Sequence, residues 1–343
     1  MKQFYIIMSA LLICISPSTL KSQDIHFSQI FETPILRNPS LAGLFTGDAR
    51  IQSVYRTQWN NITTPYQTTS LSGELKMKVG NADDYITIGG QILNDKAGSI
   101  GLTTTEFFPA INYNKSIGSE TNTYISLGFM GGIVQHHFDK SKVTTNNQFD
   151  GNAYNRDISN GENFSNTSYS YFDGSVGMSL NSQIGENQDN NIIIGLAYHH
   201  FNKSKKTSFY TLNNETITPK WVGSIGVKIS NNESSYFTLQ SDYSKQGTNN
   251  EFIIGGIYTV KLFDMNGDAS YLLHVGSYVR LQDAIIPVAK IEFKSIAIAG
   301  SYDATVTELK RNSNGQSGFE VSLSYQIKKK NNSYLDAVRC PRF

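Results

Sequence analysis

Hydrophobic and polar residues alternate strictly over many short segments of this chain. In residues 319–328 the odd positions are apolar and the even positions are polar. Successive side chains of a strand point to opposite faces of a sheet, so this pattern predicts a strand with one apolar face. Comparable segments recur between clusters of Asn, Asp, Gly and Ser, which interrupt strands. We count about fourteen segments of the length that crosses a membrane, starting near residues 48, 65, 84, 102, 121, 169, 190, 218, 234, 249, 269, 284, 295 and 317.

The connections between these segments alternate between short turns and long loops. The turns fall near residues 79–83, 116–120, 185–190, 230–234 and 263–268, and the long loops at 139–168, 203–217 and 304–316. This alternation is typical of membrane β-barrels, in which short turns face the periplasm. We therefore predict an all-β fold, a single transmembrane antiparallel β-barrel of about 14 strands in the bacterial outer membrane.

The first 22 residues have the pattern of an export signal. Lys2 precedes an apolar stretch over residues 4–15, which is shorter than the ~20 residues of a spanning helix. Cleavage is expected near Ser22 and Gln23. Cys14 follows Ile13, whereas a lipoprotein signal has a small residue there, and the mature chain keeps one cysteine, Cys340. One cysteine cannot form an internal disulfide, so backbone pairing must hold the exported protein together.

The mature chain divides into three parts. Residues 23–47 form a segment that we call the lead, residues 48–328 the barrel, and residues 329–343 a C-terminal tail. An even number of strands places both termini in the periplasm. The lead is rich in apolar residues that water would solvate poorly, so it either plugs the lumen or docks a partner. We favour a plug, packed inside the barrel by Phe27, Phe31 and Leu36.

Other candidate sites follow from charge and strand position. The tail is assigned to partner contact through Arg339, Arg342 and Phe343, because Arg and aromatic residues are enriched in tight interfaces; a frayed end is the alternative. Charged residues of the late strands are predicted to form an internal network, in preference to a pore-lining filter. These residues are Arg280, Lys290, Glu292 and Lys294. A pattern like a barrel-assembly signal occurs at Gly318, Val321, Leu323 and Tyr325.

Motifs of catalysis and metal binding are absent from the sequence. It contains neither Gly-x-Ser-x-Gly nor a phosphate-binding loop, and the net charge of +1 gives no basic field for nucleic acid. In each of the pairs 136–137 and 199–200 we expect one histidine to face the lumen and the other to face outward, so neither pair chelates a metal. The acidic loop around Asp150, Asp157 and Glu162 departs from calcium-loop spacing and is interpreted as solvated. We predict no enzyme activity, cofactor or metal site.

Both ends of the mature chain resemble the PorP/SprF family of type IX secretion system membrane proteins. The resembling segments are QDIHFSQ (23–29), NPSLAG (38–43), YRTQW (55–59), DAIIP (283–287), GSYD (300–303), GFEVSLSY (318–325) and CPRF (340–343). Residues 139–217 carry no motif that we can assign.

The resemblance implies a Bacteroidota outer-membrane barrel that works with the type IX secretion and gliding machinery. On this reading its partners are components of that machinery, a secreted adhesin and outer-membrane lipid. The barrel would support secretion of the adhesin or its attachment to the surface. Two alternatives stay open: a diffusion channel or small-molecule transporter, and a surface-binding barrel whose long loops hold a ligand. A channel would show opposed rings of acidic and basic residues, which the sequence does not obviously contain.

Overall fold

A computed structural model describes most of the chain beyond the predicted export signal. The described residues are 24–59, 64–80, 83–118, 122–187, 189–207, 209, 214–263, 269–306 and 316–327. The signal segment with Cys14, and the tail with Arg339, Arg342 and Phe343, lie outside them. No helix in this part of the chain is both long enough and apolar enough to span a membrane.

Fourteen antiparallel strands close into one barrel, which confirms the predicted fold. Each strand pairs with its sequence neighbour, and the first and last strands close the ring. Two further strands, β8 and β9, form a separate hairpin within a loop. The strands are β1 (Ala49–Gln58), β2 (Tyr66–Lys78), β3 (Tyr85–Ala97), β4 (Leu102–Gly118), β5 (Thr123–His137), β6 (Ser168–Gln183), β7 (Asn191–His199), β8 (Lys205–Thr207), β9 (Asn214–Thr216), β10 (Lys220–Asn232), β11 (Ser235–Gln246), β12 (Asn249–Phe263), β13 (Ala269–Arg280), β14 (Ala284–Phe293), β15 (Ile296–Thr305) and β16 (Gln316–Ile327).

The alternating pattern separates an apolar outer face from a polar lumen. In β16, Leu323 is 52% exposed on the outside, whereas its neighbour Ser324 is 3% exposed inside. The other strands repeat this division, with exposed Ile, Leu, Val and Phe outside and buried Ser, Thr, Asn and Gln inside. Lipid can solvate the apolar side chains, but the polar lumen needs partners of its own.

The two ends of the barrel differ. At the short-turn end, the described parts of the connections are residues 79–80, 83–84, 122, 184–187, 189–190, 233–234 and 294–295. At the long-loop end, the two longest connections are residues 138–167 and 200–219, and the second carries the β8–β9 hairpin. These two loops touch, because Phe138 packs against Phe164 and Phe209 with ring centroids 4.8 and 4.7 Å apart. The alternation rule does not predict the hairpin, since three-residue strands are too short to show a period.

The lead contains one short helix, α1 (Pro34–Arg37), between two 3-10 turns, Ile30–Glu32 and Pro39–Leu41. Pro34 and Pro39 occupy the first position of α1 and of the second turn, where a missing backbone N–H costs nothing. Asn38 caps the second turn, since its side chain accepts a hydrogen bond from the Ser40 amide. The lead is thus compact, although it pairs with no barrel strand.

Candidate functional site: the lead inside the barrel

The lead runs through the lumen from one end of the barrel to the other. Its first described residue, Asp24, lies at the long-loop end, where its carboxylate is 2.8 Å from His200 Nε2 and 2.9 Å from Gln246 Nε2. At the short-turn end, the amide of Asp48 donates to the carbonyl of Ile327 over 2.8 Å. The segment between them therefore occupies the lumen along its length.

This path contradicts one expectation about the ends of the chain. The parity of the strands does place Asp48 and Ile327 together at the short-turn end. The lead, however, passes back through the lumen, so Asp24 lies at the opposite end from Ile327. Strand counting alone misplaces the start of the lead, because it assumes that the chain outside the strands stays at one end.

A partly buried ion pair between Asp24 and His200 fixes the lead at the long-loop end. Burial disfavours the charged imidazolium, but the carboxylates of Asp173 and Asp24 outweigh this and raise the pKa of His200 to about 10. Burial likewise opposes ionisation of Asp24, but Lys220 and His200 hold the pKa of that carboxyl far below its usual value. Lys220 Nζ lies 3.5 Å from Asp24. At neutral pH, His200 is thus a cation between two carboxylates.

The three apolar residues predicted for the plug all lie in the lumen. Phe27 is 4% exposed and packs with Val54 and Leu93, and Leu36 lies against the same cluster. Phe31 stacks on Tyr278 with ring centroids 5.8 Å apart and an interplanar angle of 21°. The side chains are therefore positioned as the plug hypothesis requires, and their action as a plug stays a prediction.

Ser28 and four buried charged residues around it form a cluster, which we call the central ion cluster. Ser28 Oγ donates to Asp303 over 2.8 Å and accepts hydrogen bonds from Arg56 and Arg280 over 2.5 and 2.6 Å. Arg56 also pairs with Glu320 at 2.7 Å and with Asp303 at 3.0 Å, and Arg280 lies 3.3 Å from Asp303. Within these five residues, two guanidinium groups and two carboxylates balance in charge, which buried ions require. At the more exposed edge, Arg280 also pairs with Asp283 at 2.8 Å and lies 3.6 Å from Glu251.

The lead also donates its backbone to this cluster. The amides of Ser28 and Gln29 donate to the two oxygens of the Glu320 carboxylate over 2.6 and 2.8 Å. Gln29 Nε2 donates to the Glu320 carbonyl and to Ser301 Oγ. Because β16 supplies acceptors to a segment almost 300 residues away in sequence, only the closed barrel can hold the lead here.

A second cluster lies closer to the short-turn end. Lys290 Nζ is 2.8 Å from Glu32 and 2.9 Å from Glu292, and His274 Nε2 is 3.5 Å from Glu292. Gln52 donates to the other oxygen of Glu32. Glu32 belongs to the lead, so this cluster also ties the lead to the wall.

The predicted network of four late-strand charges is therefore corrected. Arg280 belongs to the central ion cluster, whereas Lys290 and Glu292 belong to the second one. Lys294 belongs to neither: it is exposed in the turn between β14 and β15, with a φ of 53° and its Nζ over the Phe293 ring. β14 ends one residue before Lys294, so this lysine lies in the turn at the mouth of the barrel and pairs with neither cluster.

Three glycines make room for the lead on the lumen wall. Gly128 and Gly177 are paired across β5 and β6, and a Cβ on either would overlap the lead, at Pro39 and at the Asn38 side chain respectively. A Cβ at Gly195 would lie 2.9 Å from Asn38 Nδ2. We call this feature the glycine notch. It explains physically why an Asn-Pro pair can lie flat against three strands.

The histidine pairs are placed differently from each other. His136 lines the lumen and His137 is exposed, as strand alternation requires. His199 and His200 both line the lumen, which corrects the expectation that one of them faces outward. The φ of His200 is 57°, so the chain leaves the extended conformation there and turns the second ring inward.

Two large cavities remain beside the lead. The long-loop vestibule has a volume of about 810 Å³ and reaches the loop residues 216–218. The short-turn vestibule has a volume of about 490 Å³ and reaches Asp189 and Lys294. Lead residues line both, Leu36 the first and Glu32 the second. In the described part of the chain, the lead therefore borders two separate cavities of the lumen, one toward each end.

The remaining predicted sites lie on the outside of the barrel or in its loops. Val321, Leu323 and Tyr325 are 44–52% exposed on the outer face of β16, and Gly318 pairs with Gln58 in β1. In the long loop, the Asp150 carboxylate accepts the amides of Asn152 and Ala153. Among the described residues, no group of three or more His, Cys, Asp or Glu could hold a metal ion.

Known proteins resemble this chain in sequence and in fold. A family model described as "Type IX secretion system membrane protein PorP/SprF" matches residues 19–325. No curated protein matches the chain. The toluene transporter TbuX of Ralstonia pickettii has a TM-score of 0.49 at 8% identity, over 87% of this chain and 93% of that one. A FadL homologue of Pseudomonas aeruginosa has a TM-score of 0.48 at 9% identity, over 92% and 96%. At such scores, neither structure carries an argument about function.

Proposed function

Because this chain belongs to the PorP/SprF family of type IX secretion system membrane proteins, we propose that it is a plugged, non-enzymatic accessory of that system. In this proposal the barrel supports secretion of a partner adhesin of a Bacteroidota cell, or its attachment to the surface. The long-loop end faces outside, as is usual for barrels whose turns differ in length. The tail, with Arg339, Arg342 and Phe343, contacts the machinery from the periplasmic side.

One observation carries the proposal: the lead crosses the lumen and is held there by buried charges. A passive diffusion channel needs a continuous water-filled path with weak binding sites. Here the lead crosses the lumen between Asp24 and Asp48. Its residue Ser28 forms hydrogen bonds to buried charged side chains of β13, β15 and β16. The barrel is therefore better suited to hold partners at its two ends than to pass solutes.

The test compares secretion and permeability in the same cells. A strain that lacks the protein is complemented with the full chain or with a chain truncated before Asp336. Surface proteins are quantified by mass spectrometry after labelling of intact cells. We expect the full chain to restore at least one large surface protein, and the truncated chain to insert normally but fail to restore it.

Permeability provides the control. Purified full-length protein in planar bilayers should give no steady conductance, and uptake of small hydrophilic solutes should be the same with and without it. Steady conductance together with unchanged surface proteins would identify a channel and overturn the proposal. If the truncated chain restores the surface proteins, the tail has no part in the proposed function.

A further inference from the structure

The long-loop vestibule has one apolar wall and one polar wall. Phe108, Met130 and Val134 line it on β4 and β5 and belong to one buried apolar cluster. Tyr171 packs against that cluster from β6, and its hydroxyl lies 3.4 Å from His136 Nε2. The aliphatic and aromatic side chains of β4, β5 and β6 therefore form one continuous apolar wall of the cavity.

Four carboxylates face the same cavity, and their partners differ. Asp24 and Asp173 both contact His200, and Asp24 also contacts Lys220. His200 and Lys220 thus make their direct contacts at one side of the vestibule and reach Glu106 only by longer-range electrostatic attraction.

Asp95 and Glu106 lie on the other side, and no cation forms an ion pair with either of them in the described part of the chain. Asp95 accepts the Thr68 hydroxyl over 2.6 Å, and Glu106 has no hydrogen-bond or ion-pair partner in the described part of the chain. Asp95 is paired with Thr104, so Glu106 lies two residues along the same face of the neighbouring strand. Diagonal neighbours of this kind are roughly 7–8 Å apart, close enough for one cationic group to contact both. Glu106 is also level with Val134 and Tyr171 across β4, β5 and β6.

We propose that the long-loop vestibule binds a lysine or arginine side chain of a partner polypeptide, with its charge at Asp95 and Glu106. The stem of such a side chain is apolar and its tip is charged, which matches a cavity with one apolar wall and two carboxylates that have no ion-pair partner. The Tyr171 ring adds a face that attracts cations. A bare divalent cation fits less well, since calcium takes six to eight oxygen ligands.

The proposal deepens the proposed function, because it names the chemistry by which the long-loop end would hold its partner. It also gives the lead a part in binding. Asp24 and Leu36 line the same vestibule, so a bound side chain lies next to the lead.

The test uses purified full-length protein in lipid nanodiscs and fluorescent tetralysine as the probe. We expect saturable, salt-sensitive binding, weakened about tenfold by Glu106→Gln and by Asp95→Asn, the effect of losing one charge-assisted contact. The matched control is Glu233→Gln, which removes the same charge from an exposed turn at the other end. Equal binding by all four proteins, or equal binding of tetraglutamate, would overturn the proposal.

A crosslinking measurement covers variants that fail to fold. Carbodiimide joins the probe's amines to carboxylates of the unmodified protein, and mass spectrometry locates the bonds. Bonds at Asp95 or Glu106 support the site, whereas bonds confined to loop residues such as Asp139 and Asp157 exclude it. Neither measurement needs secretion, so failure of the binding site and failure of the secretion role are distinguishable.

Discussion

Asn38 lies directly over Gly177 on the lumen face of β6, so close that a methyl group on residue 177 would overlap the Asn38 carboxamide oxygen. The contact joins the middle of the lead to the middle of a strand. A glycine at this position therefore serves packing, because its backbone is ordinary extended strand.

We expect Gly177→Ala to displace the lead. Overpacking of a tight contact costs roughly 1–3 kcal/mol, and the lead can relieve it by moving away from the wall. Displacement is read by maleimide labelling of Ser40→Cys, in a background in which Cys340 is replaced by Ser. Ser40 is 0% exposed, so labelling should be slow when Gly177 is kept and fast when Gly177→Ala is added. Gly223→Ala is the control, since its Cβ would meet open space; equal labelling in both variants would show that the notch is unimportant.

Removing one guanidinium from the central ion cluster should be costly. Arg56→Met leaves Asp303 and Glu320 with less compensation, and breaking a buried ion pair costs about 3–5 kcal/mol. The free energy of unfolding, measured by denaturant titration in micelles, should fall by that amount. Glu320→Gln added to Arg56→Met should recover part of the loss, because charge balance improves.

A surface pair is the control for this measurement. Lys115 is 51% exposed and pairs with Asp84 at 2.7 Å. Lys115→Met should change the unfolding free energy by only about 0–1 kcal/mol. If Arg56→Met costs no more than this, the cluster does not stabilise the barrel.

The energetic cost of a charged substitution should depend on whether the residue faces lipid or water, and not on how exposed its side chain is. Leu323 is 52% exposed on β16, and Phe149 is 59% exposed in a long loop. Leu323→Arg should cost about 2–4 kcal/mol if the residue lies near the bilayer midplane, and lower the amount of inserted protein. Phe149→Arg should be neutral, because that loop meets water. Similar insertion of both variants would mean that Leu323 does not face lipid.

The anchor at the long-loop end should weaken in alkali. The pKa of His200 is raised in the folded state, so its contribution is complete below the ordinary value of about 6.5 and is lost as pH rises through about 10. The charged and titratable groups around it are Asp24 on the lead, Glu106 on β4, Asp173 on β6, Lys220 on β10 and the neighbouring ring of His199. Unfolding free energy should fall between pH 7 and 10 in the wild type and fall less in His200→Gln. Parallel curves would show that the imidazolium adds nothing.

Much of the fold follows from local pattern. Strand alternation locates the fourteen strands, and motifs at both ends indicate the family that the matching model confirms. The path of the lead does not follow from pattern, because a segment without a period can lie on either side of a wall. Arg56 and Glu320 are paired because β1 and β16 close the barrel. No local sequence pattern predicts the register of that pairing. His200 escapes the alternation rule because a single positive φ reverses its side chain.

The topology of the lead makes its attachment mechanically one-sided. Its downstream end continues into β1, whose ladder to β16 closes the ring. A force on Asp24 toward the long-loop side would therefore be transmitted along the lead to β1 and would be opposed by the pairing of β1 with β16. Withdrawal toward the short-turn side breaks the hydrogen bonds and ion pairs between the lead and the lumen wall, but it breaks no strand pairing. The lead therefore resists extraction through the long-loop end, where Asp24 lies, and can leave the lumen more easily through the short-turn end, where β1 begins.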